Sequence, residues 1–222
     1  MKVWYKGRKI EILPSKIVCV ARNYAAHANE MQENLPSEPV FFIKPRSALV
    51  PHKSTVVLPA YSNHVEHEVE LAVVIKRRLK NAKEVNLKKD VMGFSIILDM
   101  TARDVQREAK NQGLPWTKAK CFDTSAPFGP KIVEPDKLDW RKLEISLRVN
   151  GELRQQGNTS QMVFGIEELI AKASEIFTLE RYDIIATGTP AGVGVVKPGD
   201  IVEAEISGIG KLCVRIGPPK NS

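Results

Sequence analysis

Cysteine is scarce. The three in the chain, Cys19, Cys121 and Cys213, are far apart, odd in number and form no CxxC. A disulfide framework and a cysteine-held zinc site are thereby excluded as organising features. Long apolar runs are missing too, since no stretch approaches the ~18 residues that span a bilayer. The opening MKVWYKGRKIEI holds no apolar signal core, so a reducing cytoplasm is the expected location and membrane association is not expected. Basic runs are short, such as Lys76-Arg77-Arg78 and Lys88-Lys89, and no basic stripe alternates with aromatics. Nucleic-acid binding is not expected on that ground. A P-loop lysine and a GxGxxG after the first strand are both absent, which leaves nucleotide binding unsupported. There is no internal repeat and no low-complexity linker.

What is present is ordinary for a globular protein: 222 residues, 43% hydrophobic and 27% charged, enough to bury a sizeable core. The net charge of +7 suits small anionic ligands. Residues 3–5 and 10–13 flank Lys6-Gly7-Arg8-Lys9 as a short hairpin. Strands are expected at residues 16–20, 40–43, 55–58, 68–75, 93–100, 144–149, 183–186, 201–206 and 211–216. Asn150-Gly151 marks a hairpin turn. Residues 22–31 read as a short helix or helical loop, and residues 101–110 as a helix with Thr101 as cap and Asp104 in its first turn. Residues 162–176 carry Ile166, Leu169, Ile170, Ala173 and then Phe177 at helical spacing. Strands outnumber helices and do not alternate with them, which points to a mostly β or α+β fold rather than a doubly wound sheet.

The chemistry gathers around HEVELAVVI, residues 67–75. On a strand, residues two apart share a face, so Glu68 and Glu70 lie side by side, ~6–7 Å apart at the backbone. Two buried like charges need a cation. Asp99, at the end of the apolar run GFSIIL, is the best third ligand. Three carboxylates without cysteine favour a hard, oxygen-preferring cation such as Mg²⁺. The alternative is a solvent-facing strand edge with Asp99 in a loop. His27 and Glu30, three apart on the short helix, share a face and form a His–carboxylate pair suited to general base work. Alone, such a pair is also compatible with a solvated helix surface. His64 and His67 read as loop or outward-facing residues, with His67 a possible secondary contact. Lys120 follows GLPWTKA, where no periodicity places it. Gly188-Thr189-Pro190, within TGTPAGVG, offers amides and a hydroxyl able to hold a carboxylate.

Taken together, RNYAAHANEM, EPVFFIKP, HEVELAVVI, ILDMTARDVQ, GLPWTKAKCFDT and DIIATGTPAGVG resemble the fumarylacetoacetate hydrolase family. The likeness is to its short acylpyruvase and oxaloacetate-decarboxylase branch, from about residue 16 to the C-terminus. The resemblance implies a mixed β-sandwich roll, usually a homodimer. Residues 1–15 would be a hairpin within the same unit, and residues 16–222 a single catalytic domain. It also implies Mg²⁺ or Mn²⁺ on Glu68, Glu70 and Asp99, a catalytic His27–Glu30 pair on a lid of about residues 26–38, and an active-site Lys120. Arg22, Lys44, Arg103, Gln106 and Thr189 would line a pocket for a small anionic 2-oxo acid. The implied activity is metal-dependent cleavage of a C–C bond through a metal-held enolate, by acylpyruvate hydrolysis or oxaloacetate decarboxylation. Alternatives are an isomerase or decarboxylase of 2-hydroxy-dienedioates, an oxaloacetate keto–enol tautomerase, or a non-catalytic metal- or ligand-binding relative.

Overall fold

Alternation along one strand decides the layers. In Val69–Ile75 the odd positions Val69, Leu71, Val73 and Ile75 pack into one apolar cluster, and the even positions Ala72 and Val74 into another. A strand apolar on both faces needs cover on both. The computed structural model, which describes residues 1–219, supplies it.

This strand is central in a seven-stranded mixed sheet, ordered Val40–Pro45, Lys16–Ala21, Ile184–Ala186, Val69–Ile75, Val91–Leu98, Ala126–Phe128 and Leu49–Pro51. A second, five-stranded sheet covers one face, ordered Glu152–Asn158, Glu144–Val149, Ile201–Ile206, Gly210–Gly217 and Thr55–Val57. Ile201–Ile206 alternates exposed and buried along its length, so this outer sheet turns one face to solvent. Its inward residues, Ile145, Leu147, Val202, Ala204 and Val214 among them, meet Leu71, Phe94 and Ile96 in the larger cluster. Helix Ile166–Ile176 joins that cluster through Ile166, Leu169, Ile170 and Ala173, the positions its spacing marks. Each such aliphatic side chain contributes about 1.5–3 kcal/mol on burial. The other face of the first sheet is covered by Val3 and Ile12, which meet Cys19, Val74 and Ile97. The fold is the expected mostly-β, mixed-sheet roll.

Both expected hairpins form. Asn150 and Gly151 both have positive φ, 52° and 84°, the pattern of a two-residue turn whose twist matches the flanking strands. At the N-terminus the turn is Lys6-Gly7 alone, with Arg8 already paired to Tyr5. Two expected helix starts are corrected. Residues 162–165 are not helical: Asn158 and Gln161 close a capping box around the short turn Thr159–Gln161, and the helix waits for Gly165 as its N-cap. Thr101 is not a cap either. It pairs with Glu66 in a small three-stranded sheet, and its hydroxyl donates to Glu68 Oε1 at 3.2 Å. The helix runs Arg103–Asn111. Asp104 accepts from Ser62 Oγ and the amides of Asn63 and Val105. Among the described residues no helix is long and apolar enough to cross a membrane.

Candidate active site

Strand register assembles the acidic centre. Glu70 pairs with Ile97 and Val69 with Leu98. One step on, the Asp99 amide donates to the Glu68 carbonyl at 2.8 Å, which sets Asp99 opposite Glu68. Two residues from one strand and their cross-strand neighbour then share a face. The three buried carboxylates each place an oxygen within 4.8 Å of the others. That face continues into Ala72, Val74 and Ile97, so the site closes the end of an apolar layer.

Three cations answer this charge from below and beside. Lys120, buried despite its unpatterned sequence context, donates to Asp99 Oδ2 at 2.7 Å and Glu68 Oε2 at 3.0 Å. Arg103 is held by Glu66 through Nε at 2.6 Å, bonds Glu68 Oε1 through Nη2, and donates from Nη1 to Gln106 Oε1 at 2.7 Å. That orientation leaves the Gln106 amide NH₂ as a donor for the pocket. Lys44 is fully buried and donates to the carbonyls of Met100, Lys120 and Ser125. Its Nζ also lies 2.9 Å from Asp99 Oδ1. Its N–H bonds aim at the carbonyls, so Asp99 Oδ1 is left buried without an aligned donor. Burial pushes Glu68 up, but Lys120 and Arg103 outweigh it and hold Glu68 below the usual carboxylate range. Glu70 has no such neighbour at bonding distance. Among the described residues its Oε2 accepts only the Gly188 amide, at 2.8 Å, and burial, then Asp99, then Glu68 push its pKa well up. Burial pulls Lys120 down, yet Asp99 and Glu68 raise it on balance, so it stays an ammonium.

An orphaned carboxylate oxygen, a carboxyl group short of positive charge and an all-oxygen donor set fit a hard divalent cation. Glu66, Glu68, Glu70 and Asp99 carry −4 when ionised, and Lys44, Arg103 and Lys120 carry +3; a divalent ion brings the sum to +1, a site that attracts an anion. Ligation requires Glu70 to lose its proton. Mn²⁺ should therefore raise the melting temperature more at about pH 8 than at about pH 5.5, with protons released on binding. Scanning calorimetry at both pH values checks this, and equal shifts would show that no raised carboxyl group ionises when the ion binds.

The dyad stands across the same pocket. His27 is buried on helix Ala25–Glu30, and its Nδ1 meets Glu30 Oε2 at 3.1 Å. A carboxylate oxygen accepts, so Nδ1 carries the hydrogen in this contact, and in the neutral imidazole that tautomer leaves the Nε2 lone pair free. Glu30 is fixed by the Gly192 amide at 3.0 Å. Here the TGTPAGVG segment explains itself. Gly188 has φ +93°, and a Cβ there would stand 2.8 Å from Asn23 Cβ; Gly192 has φ +98°, and a Cβ would meet Arg154 O at 2.1 Å. Only glycine lets the two amides reach Glu70 and Glu30.

Nine of the eleven residues singled out from sequence line one cavity of about 40 Å³: Arg22, His27, Glu68, Glu70, Asp99, Arg103, Gln106, Lys120 and Thr189. Glu30 stands behind His27, and Lys44 beneath Asp99 and Lys120. The Thr189 hydroxyl donates to Val69 O at 2.8 Å and accepts from Gln155 Nε2 at 2.7 Å, so as folded it tethers the loop. His67 is corrected outright: it is fully buried, with Nδ1 3.0 Å from Gln155 Oε1, and burial lowers its pKa. Sequence reasoning missed Glu66, Gln155, Asn23, Met31, Glu33, Phe42, Lys110 and Trp116. Of these Glu66 carried a signal as the third glutamate of the alternating run VEHEVE, Met31 and Glu33 fall within the expected lid, and Asn23, Phe42 and Trp116 within the motifs that carry the resemblance.

A buried carboxylate triad able to hold a metal ion stands beside a His–Glu pair on a mixed-sheet roll. Residues 16–217 match the family described as fumarylacetoacetate (FAA) hydrolase C-terminal, and the chain belongs to that family. It is 49% identical over 204 residues, covering 92% of each chain, to the mitochondrial oxaloacetate tautomerase FAHD1 of Bos taurus. The structure of fumarylpyruvate hydrolase from Pseudomonas aeruginosa in complex with Mn²⁺ and pyruvate superposes with a TM-score of 0.90 at 34% identity, covering 98% of this chain and 96% of that one. A 2-hydroxyhepta-2,4-diene-1,7-dioate isomerase from Mycobacterium marinum gives 0.83 at 36% identity, covering 98% and 83%. The family thus includes members named as hydrolases, isomerases and tautomerases.

Proposed function

We propose that the chain is an Mg²⁺- or Mn²⁺-dependent enzyme of small 2-oxo acids, whose common step is enolisation next to the 2-oxo group. Glu68, Glu70 and Asp99 would hold the ion. When bound, it supplies Lewis-acid polarisation of the 2-oxo acid. His27, oriented by Glu30, takes a proton at Nε2. Lys120 and the Gln106 amide hydrogen-bond the oxygen on which charge gathers. The single observation that carries this reading is the His27 Nδ1–Glu30 contact, which frees Nε2 beside an acidic centre already paired with Lys120.

Two outcomes follow from one enolising site. If His27 takes its proton from C3 of oxaloacetate, the result is keto–enol tautomerisation, the activity in the name of the Bos taurus relative. If it takes the proton from a water attacking a distal carbonyl, the result is C–C hydrolysis of an acylpyruvate, as the name of the Pseudomonas aeruginosa relative suggests. Loss of CO₂ from oxaloacetate needs no such water. We further propose a homodimer, a reading supported by the exposed Ile43 on edge strand Val40–Pro45 and tested by light scattering, and a cytoplasmic location, tested by cell fractionation. The test of function is turnover of metal-stripped and Mn²⁺- or Mg²⁺-loaded protein on oxaloacetate and acetylpyruvate, following enol absorbance, pyruvate and CO₂ separately. His27→Ala should lower the metal-dependent rate by about 10²–10⁴-fold. Full turnover in that variant would sink the dyad assignment, and no reaction on either acid would sink the substrate class.

A further inference from the structure

The rim of the pocket carries charges that the chemistry above does not use. Arg22, Glu33 and Lys110 all line the same cavity as the carboxylates. Lys110 lies on the helix of Arg103 and Gln106, at a spacing that keeps all three on one face. Its Nζ stands 5.2 Å over the Trp116 ring. Arg22 leaves strand Lys16–Ala21 with φ 58°, a strained conformation for a non-glycine residue. Glu33 follows the helix Ala25–Glu30, its amide donating to Ala28 O at 2.9 Å. Glu33 Oε1 accepts from Lys110 Nζ, and its Oε2 lies 3.5 Å from Arg22 Nε. That second approach is too long to satisfy Arg22 Nε, which is buried without an aligned acceptor.

Two cations facing a pocket form a receptor for a carboxylate. Here the chain fills it with its own. The cavity is small, so a ligand held at the acidic centre presents its far end to this rim. We propose that Glu33 selects substrates by the charge of that far end. By occupying the Arg22–Lys110 pair it disfavours a second, terminal carboxylate and favours an uncharged terminus. The inference rests on the 2-oxo acid reading and adds a selection rule to it. The rule concerns acids long enough to reach the rim, not oxaloacetate, whose second carboxylate is attached to the enolising carbon. A ligand ending in carboxylate must displace Glu33 from Lys110, whereas one ending in methyl leaves that contact intact.

The test uses the full chain loaded with Mn²⁺ and two probes of matched length, 2-oxohexanoate and 2-oxoadipate, which differ in a terminal methyl or carboxylate. Neither has the 4-oxo group that hydrolysis needs, so neither is cleaved and calorimetry reads their affinities, with pyruvate as the control ligand. Glu33→Gln keeps the side-chain shape at a position 23% exposed and should fold. It should shift the affinity ratio toward 2-oxoadipate by about tenfold, the effect of one charge-assisted hydrogen bond. Adding Lys110→Met should erase that gain. An unchanged ratio overturns the proposal. So does an equal change for both probes, because Glu33 would then only latch the segment over the pocket. If pyruvate and both probes fail to bind the wild-type protein, the 2-oxo acid reading itself falls, and this rule with it.

Discussion

Glu70→Gln should make the metal-free protein more stable and its metal-dependent activity disappear. The two effects share one cause. Glu70 is buried, accepts a single hydrogen bond from Gly188 and faces Asp99 and Glu68 without a cation of its own. A glutamine oxygen can still accept that amide, while the uncompensated charge is gone. Relief of a buried, repelled carboxylate should contribute about 1–2 kcal/mol, a few degrees of melting temperature at this chain length. The pH dependence has a definite sign. A carboxyl group whose folded pKa is raised stabilises the fold below its unfolded value and loses that contribution as pH rises through the folded value. The advantage of the variant over wild type should therefore grow with pH and vanish below the unperturbed value of 4.5. Mn²⁺ should raise the melting temperature of the wild type and leave the variant nearly unmoved. Loss of one of three charged ligands should weaken binding by at least ~100-fold and take turnover with it. A variant that is less stable without metal yet equally responsive to Mn²⁺ would show that Glu70 is no ligand.

The triad was legible because β-structure has a period of two. Glu68 and Glu70 share parity, Asp99 ends the next strand, and antiparallel register brings it opposite Glu68. The same parity argument, carried further, would have placed His67. It has the parity of Val65 and Val69, so its side chain enters the core between the sheets rather than solvent. Treating the back of this strand as exposed fails where both faces are covered. A Thr-x-x-Asp pattern before a helical run resembles a cap, yet at Thr101 pairing with Glu66 claims the residue first. Both glycines that aim amides at Glu70 and Glu30 stood in the sequence, but their partners lie more than a hundred residues away. The balancing cations were the least legible. Lys44 and Lys120 are buried by long-range packing, and no local periodicity distinguishes a buried lysine from an exposed one.

Lys120 is where that distinction has the largest consequence. Its ammonium bonds Asp99 and Glu68 and stands 4.9 Å from the Phe42 ring, nearly out of reach of water. Lys120→Met preserves much of the volume but leaves two carboxylates with only Lys44 and Arg103 against them. Breaking a buried pair costs about 3–5 kcal/mol, so the metal-free variant should melt roughly 6–20 °C lower. Mn²⁺ should restore most of that loss and bind the variant more tightly than the wild type, because the cation no longer competes with an ammonium for the same lone pairs. Activity should not return. If Lys120 stabilises the charge that gathers on the substrate, the loaded variant stays about 10²–10³-fold slower. Recovery of wild-type turnover on metal loading would reduce Lys120 to a counter-ion of the empty centre. A metal-free variant as stable as the wild type would instead refute the ion-pair account of the fold. The melting temperature and the rate therefore separate two roles that one side chain performs at the same two carboxylates.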